Sequence, residues 1–278
     1  MINLPIAARA KSETKPFLKW AGGKTQLLPE LLPLVPDTFD RYLEPFVGAG
    51  ALFFALAYRP SLISDANREL ILTYEVVRDD IDGLLDALRT FRNTSADFYR
   101  IRALEPEEMP LRARAARLIY LNKTCFNGLY RVNRHGKFNT PYNGDEGSEF
   151  IQEEVLRKAS EALQGVSIIP GDYHGVLKAN ARKGDFVFLD PPYRPVGKYS
   201  DFKRYTKERF HDNDQEELAA EFRRLVDLGC KVILTNSAHD SILDLYKGYD
   251  LQIVDSKRLI SSDIRTRNGQ DLIVRGGF

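Results

Sequence analysis

The sequence predicts an α/β fold built on a mostly parallel sheet, and three stretches predict it. Phe186-Val187-Phe188-Leu189 is an unbroken apolar run of strand length, the pattern of a strand buried on both faces rather than one. Asp190-Pro191-Pro192-Tyr193 follows it, and because proline has no N–H to give a central ladder, the chain must leave the sheet just after Asp190. Earlier, Arg41 to Gly50 reads as a short strand ending in a glycine-rich turn, Ala51 to Tyr58 as a helix, Leu62 to Asp65 as a strand ending on an acid, and the residues up to about Val77 as another helix. Later, Val166–Ile169, Lys231–Asn236, Leu251–Val254 and Asp271–Val274 supply further strands. A helix from Asp214 to Leu228 lies among them, capped by Asp212 or Asn213 and closed by Gly229.

Between about Asp80 and Leu163 the strand signals largely disappear. Periodic segments near Ile81–Phe91, Ala96–Leu104 and Arg112–Leu121 predict helices. The division expected is therefore 1–78 with 164–278 as the sheet-bearing domain, and 79–163 as an insert. At 278 residues, 43% apolar and 28% charged, the chain has the composition of an ordinary globular protein. No apolar run is long enough to cross a bilayer and no signal peptide is evident, so a cytoplasmic location is expected. Cys125 and Cys230 form no disulfide framework, and neither they nor the four scattered histidines have metal-ligand spacing, so no metal is expected.

Asp190 sits where ligands bind in such sheets, outside the carboxyl ends of the strands. An exocyclic amine on a nucleobase is a poor nucleophile because its lone pair is delocalised into the ring. A carboxylate accepting one N–H, with a carbonyl of the prolyl turn accepting the other, would free that lone pair while the Tyr193 ring stacks on the base. Asp190, Pro191, Pro192 and Tyr193 are thus candidate catalytic residues. The competing reading is that they are ordinary turn residues.

Two segments point to a cofactor. In Trp20-Ala21-Gly22-Gly23-Lys24-Thr25 the last three residues invite a phosphate-loop reading, but the glycine needed five positions before Gly23 is Leu18. What remains is a glycine turn that brings an indole and an ammonium together, a lip for a flat ligand carrying a carboxylate. The strand, glycine turn (Gly48, Gly50), helix, strand and acid (Asp65) outline a site for an adenosine-containing cofactor. Asp172 and Tyr173, after the Val166–Ile169 strand, could hold its adenine.

The net charge is only +1, but Arg112 to Lys137 carries Arg112, Arg114, Arg117, Lys123, Arg131, Arg134 and Lys137 with no Asp or Glu. A second basic stretch runs from Arg194 to Arg209, with Arg194, Lys198, Lys203, Arg204, Lys207 and Arg209 against only Asp201 and Glu208. Unmixed charge favours a polyanion. Within the insert, Phe126 to Asn139 resembles a β-hairpin turning near Arg134 to Gly136, with Asn127, Tyr130, Arg131, Asn133, Arg134, Lys137 and Asn139 interleaving amide, aromatic and basic side chains. A two-stranded ribbon fits the DNA major groove, where an Arg–guanine pair gives about 1–3 kcal/mol of discrimination. The insert is read as a target-recognition domain.

Phe17-Leu18-Lys19-Trp20-Ala21-Gly22-Gly23-Lys24, Glu44-Pro45-Phe46-Val47-Gly48-Ala49-Gly50, Phe126-Asn127-Gly128-Leu129-Tyr130-Arg131, Phe138-Asn139-x-Pro141 and Asp190-Pro191-Pro192-Tyr193 occur in one order across nearly the whole chain. Together they resemble the Dam-type DNA adenine-N6 methyltransferases, restriction-system relatives included. The resemblance implies a Rossmann-like S-adenosylmethionine-dependent methyltransferase sheet with an inserted, mainly helical DNA-recognition domain bearing a β-hairpin. It implies S-adenosyl-L-methionine as cofactor, with Trp20, Ala21, Gly22, Gly23, Lys24, Asp65 and Asp190 lining its site. Glu44, Pro45, Phe46, Gly48 and Gly50 would lie beside its methionine part, and Asp172 with Tyr173 at its adenine. It implies double-stranded DNA as partner, an adenine flipped out against Asp190, Pro191 and Tyr193, and base-edge contacts from Leu129, Arg131 and Pro141. Asn127 would fill or frame the vacated stack, and Lys19 would reach DNA. A cognate restriction endonuclease is a candidate partner, the oligomeric state is open, and by its substrate the protein would associate with the nucleoid. The loop after Tyr193 is more basic than the family pattern, and Ser261 to Arg265 lacks the glycines often found there.

Cytosine-C5 chemistry needs a cysteine nucleophile after a proline, and neither cysteine follows one. Cytosine-N4 methylation shares the amine chemistry and stays open beside adenine-N6. A protein glutamine acceptor would leave the basic hairpin without a purpose. A DNA-binding module that has lost catalysis would be expected to have lost Asp190 or the glycine turn.

Overall fold

The computed structural model describes residues 12, 14–20, 22–133, 135–193, 212–257 and 268–278. Short turns at Lys24–Leu27 and Leu32–Leu34 flank α1 (Leu28–Leu31). The chain then runs β1 (Tyr42–Glu44), α2 (Ala51–Leu56), β2 (Ser61–Asp65), α3 (Arg68–Asp79), α4 (Ile81–Arg89), α5 (Ser95–Arg102), α6 (Leu111–Thr124) and α7 (Glu153–Leu163). After these come β3 (Ser167–Pro170), α8 (Tyr173–Asn180), β4 (Phe186–Leu189), α9 (Asp212–Leu228), β5 (Lys231–Ser237), α10 (Asp240–Leu245), β6 (Asp250–Lys257) and β7 (Asn268–Gly276).

The strands form one seven-stranded sheet in the order β3-β2-β1-β4-β5-β7-β6. β1 to β5 are parallel, and β7 pairs antiparallel with both β5 and β6. This is the expected Rossmann-like arrangement. Strand order reverses between β1 and β4, so a crevice opens at their carboxyl ends, where Glu44 and Asp190 lie.

The β4 run is buried on both faces, as its composition requires. Phe186 and Phe188 join one apolar cluster, Val187 and Leu189 the other. On the second face, α8, α9 and α10 contribute Leu177, Phe222 and Ile242. On the first, the cluster runs from Phe54 and Ile63 without a break into Leu84, Phe98, Ile119 and Tyr120 of α4 to α6. The three helices read from periodicity between residues 81 and 121 are present as α4, α5 and α6, and α7 adds a fourth that the reading did not single out. Caps set their starts: Asp80 Oδ1 accepts from Gly83 N–H and Thr94 Oγ1 from Asp97 N–H.

The hairpin turns where the sequence predicts, but its ladder is short. Val132 bridges Phe138 and Cys125 bridges Tyr142 as isolated pairs. Asn133 closes the turn by accepting the His135 and Lys137 N–H groups on Oδ1 (2.8 and 3.1 Å). No helix of the described residues is long and apolar enough to cross a membrane.

Candidate active site and nucleic-acid interface

The site is assembled at the carboxyl ends of β1, β4 and β5. Lys24 Nζ lies 2.6 Å from Asp190 Oδ1, and Thr235, near the end of β5, donates its hydroxyl to the same oxygen at 2.7 Å. Burial pushes the Asp190 carboxyl up from its ordinary value, while Lys24 and Thr235 pull it back. Lys24, 7% exposed, also donates to Gly22 O at 2.7 Å and stands 4.6 Å from the centre of the Tyr193 ring. Lys24 is thus paired with a carboxylate of the chain itself. Pro191 is buried and Pro192 half-buried. Gln215, 3% exposed on α9, donates to Pro192 O at 3.4 Å and accepts from Asn236 at 2.8 Å, bracing the prolyl turn from behind.

Glu44 is a second acid at this end of the sheet, 2% exposed and accepting the Tyr42 hydroxyl at 2.7 Å. Burial and the nearby Asp190 lift its carboxyl to about 8, against the opposing pull of Tyr42, the Phe53 N–H and Lys24. Asp65 is lifted to about 6 by burial. Its two oxygens accept the N–H groups of Asn67 (2.8 Å) and Gly48 (3.1 Å), so it ties the glycine turn to the end of β2. Gly48 has φ +47° and Gly50 φ +69°, and a Cβ on Gly48 would come within 3.0 Å of Trp20 Cδ1. The turn needs glycine both for its backbone and for the indole lying against it. Pro45 is buried, and half-buried Phe46 stacks on Tyr173 (5.0 Å, 29°). Asp172 caps α8 by accepting from Gly175 N–H at 2.9 Å. Gly23 N–H donates to Trp20 O at 3.0 Å. Ala21 lies outside the described residues.

The predicted DNA residues divide into two groups. Lys19, Asn127, Lys137 and Pro141 are exposed, and Arg131, Asn133 and Asn139 half-exposed. Asn127 adopts a left-handed backbone (φ +54°, ψ +17°) and stands beside Phe126, which is 54% exposed. Lys19 packs along Gly128, where a Cβ would lie 2.6 Å from the lysine Cβ. Leu129, in contrast, is buried, and Tyr130 stacks on Trp20 (4.9 Å, 21°). Arg131 donates to Asn139 Oδ1 at 2.8 Å, across the hairpin. Arg134 lies outside the described residues.

The basic run of residues 112–137 is not a single patch. Arg112 pairs with Asp80, Arg114 with Glu69 and Lys137 with Glu105. Buried Arg117 donates to the Ile101 and Arg102 carbonyls at 3.0 and 2.8 Å, at the end of α5. Successive residues of a helix point about 100° apart, so α6 sends Arg112 and Arg114 to acids of other segments, Arg117 to the end of α5 and Lys123 to the Gln152 side chain. The second basic stretch, Arg194–Arg209, lies outside the described residues.

A family model described as D12 class N6 adenine-specific DNA methyltransferase matches residues 20–260. The chain belongs to this family. It is 39% identical over 271 residues to the Type II methyltransferase M.MjaIII of Methanocaldococcus jannaschii, covering 90% of this chain and 93% of that one. It is 37% identical to the Type II methyltransferase M1.LlaDCHI of Lactococcus lactis subsp. cremoris, with 91% and 92% covered. Against the DNA adenine methylase of Escherichia coli K12 the identity is 32%, with 93% and 94% covered. The chain is therefore an adenine-specific DNA methyltransferase, and neither cytosine-N4 methylation nor a silent binding module is supported.

Several residues of the candidate site are not singled out by the sequence. Thr235 and Asn236 carry a usable signal, because polar residues ending the apolar β5 run fall at the ligand end of a parallel strand. Gln215 and Tyr42 carry none, since each meets the site only through packing of α9 or β1. Among the described residues no three His, Cys, Asp or Glu side chains gather as metal ligands.

Proposed function

We propose that this methyltransferase moves a methyl group from S-adenosylmethionine to the N6 amine of an adenine swung out of duplex DNA, at one short sequence. The observation that carries the reading is Asp190, held on Oδ1 by Lys24 at 2.6 Å and Thr235 at 2.7 Å at the switch point of the sheet.

The residues present fit the cofactor. The Gly48–Gly50 turn is a cradle that side chains would fill, the Phe46–Tyr173 pair offers an aromatic wall, and Glu44 and Asp190 are acids suited to cationic groups. Asp65 would meet the ribose. When bound, the cofactor supplies a methyl group on a sulfonium, already activated for transfer. The protein's part is to make N6 nucleophilic. Among the described residues both contacts to Asp190 fall on Oδ1, which leaves Oδ2 to accept one N6–H, with the Pro191 carbonyl for the other. Drawing both protons into hydrogen bonds concentrates the lone pair on nitrogen. Once the amine becomes cationic, Oδ2 is placed to take the surplus proton. Lys24 keeps the aspartate ionised, and the Tyr193 ring would stack on the base.

Residues 79–163 would recognise the sequence. Arg131 and Pro141 would read base edges, while Asn127, with the exposed Phe126 ring beside it, would occupy the space that the flipped adenine leaves. The test is single-molecule sequencing of DNA from cells expressing the chain or Asp190→Ala. N6-methyladenine at one short motif, present only with the intact chain, is expected. Soluble, cofactor-binding protein with no modified DNA base would overturn the reading.

A further inference from the structure

Tyr130 belongs to the recognition hairpin, yet it faces the cofactor half of the site. Its ring stacks on Trp20 at 4.9 Å with an interplanar angle of 21°, and its hydroxyl meets the Asn67 side chain. Both neighbours are parts of the cradle. Trp20 is the indole against which a Cβ on Gly48 would press, and Asn67 N–H holds one oxygen of Asp65 at 2.8 Å. A second tie runs alongside: the buried Asn122 side chain accepts from Lys19 N–H (2.9 Å) and donates to Lys19 O (2.6 Å) and Gly128 O (3.1 Å). The Trp20 segment is thereby fastened to the base of the hairpin.

We infer that Tyr130 is a positioning residue, which couples engagement of the target sequence to affinity for the methyl donor through the Trp20 stack. The inference rests on the proposed cofactor site. Movement of the hairpin on the correct duplex carries the Tyr130 ring with it, and Trp20, wedged between that ring and the glycine turn, transmits the shift. Coupling of this kind is reciprocal, so the cofactor tightens cognate DNA by the same factor. A side chain that only filled space would change stability and leave the factor untouched.

The test uses the full chain, S-adenosylhomocysteine as the probe, and two duplexes of equal length, with and without the motif methylated in expressing cells. Trp20 is the chain's single tryptophan, so its emission follows the stack directly. For the unaltered chain the cognate duplex should tighten the probe about tenfold over the non-cognate one, within the usual range for such coupling. Tyr130→Leu should reduce that ratio to within about twofold of unity, and Tyr130→Phe, which keeps the stack, should restore it. A Leu variant that keeps the tenfold ratio overturns the inference, as does a Phe variant as uncoupled as Leu. Should the Leu variant not fold, the unaltered chain still decides: cognate duplex alone must change Trp20 emission, and unchanged emission refutes the coupling. A chain that methylates adenine with a ratio of one loses only the coupling, whereas no probe binding at all removes the cofactor reading beneath it.

Discussion

Replacing Glu44 with glutamine should stabilise the cofactor-free protein, and increasingly so as pH rises. The buried carboxyl sits at about 8 in the fold, against an ordinary value near 4.3 when exposed in the unfolded chain. The folded state therefore holds a proton that the unfolded state has released throughout the interval between those values. Stability falls as pH rises across that window, because the native form binds more protons. From about pH 6 to about pH 9 the loss through this one group is roughly 3 kcal/mol. Glutamine keeps an oxygen for the Tyr42 hydroxyl, 2.7 Å away in the parent, and has nothing to ionise. Urea unfolding of parent and Glu44→Gln at intervals across that range, with no cofactor added, measures the difference. Unfolding free energies that run parallel with pH would refute the reasoning, since they would show that Glu44 is ionised in the fold at neutral pH.

Two further outcomes follow from the site and the hairpin. Lys24→Met removes the cation 2.6 Å from Asp190 and leaves burial to raise that carboxyl further; the acid limb of kcat against pH should move to higher pH by about one unit or more, and an unmoved limb would separate Lys24 from the ionisation of Asp190. Arg131→Ala should cost about 1–3 kcal/mol at the base it reads and relax the choice there, measured as relative kcat/KM over single-base variants of the target; equal loss on every sequence would count against a base contact.

The architecture was legible because its signals are local. An unbroken apolar run ended by Pro-Pro admits little besides a central strand, and β4 occupies Phe186–Leu189. The glycine turn and Asp65 also stand where their spacing puts them, at the ends of β1 and β2. The supporting cast was hidden because it is assembled from afar: Gln215 and Asn236 reach the prolyl turn from α9 and β5. The charge run misled for a related reason. Sequence shows that seven cations occur without an acid among them, but not that Asp80, Glu69 and Glu105 come to meet three of them in space. Tyr130 looked like one more aromatic on a ribbon, and only the fold turns it toward Trp20.

The apolar layer on one face of the sheet continues into the helices of the insert. The segment 79–163 is thus not a cassette clipped onto the sheet. Cutting it out would strip α3 of α6 and α7, which pack against it, and heating should melt sheet and insert in one transition. On the proposed reading of this segment as the target reader, a lineage changing its target does so cheaply where this shared interior ends, at exposed residues such as Asn127, Lys137 and Pro141. Any wholesale exchange of residues 79–163 would have to bring α4 to α6 along and rebuild the floor beneath them.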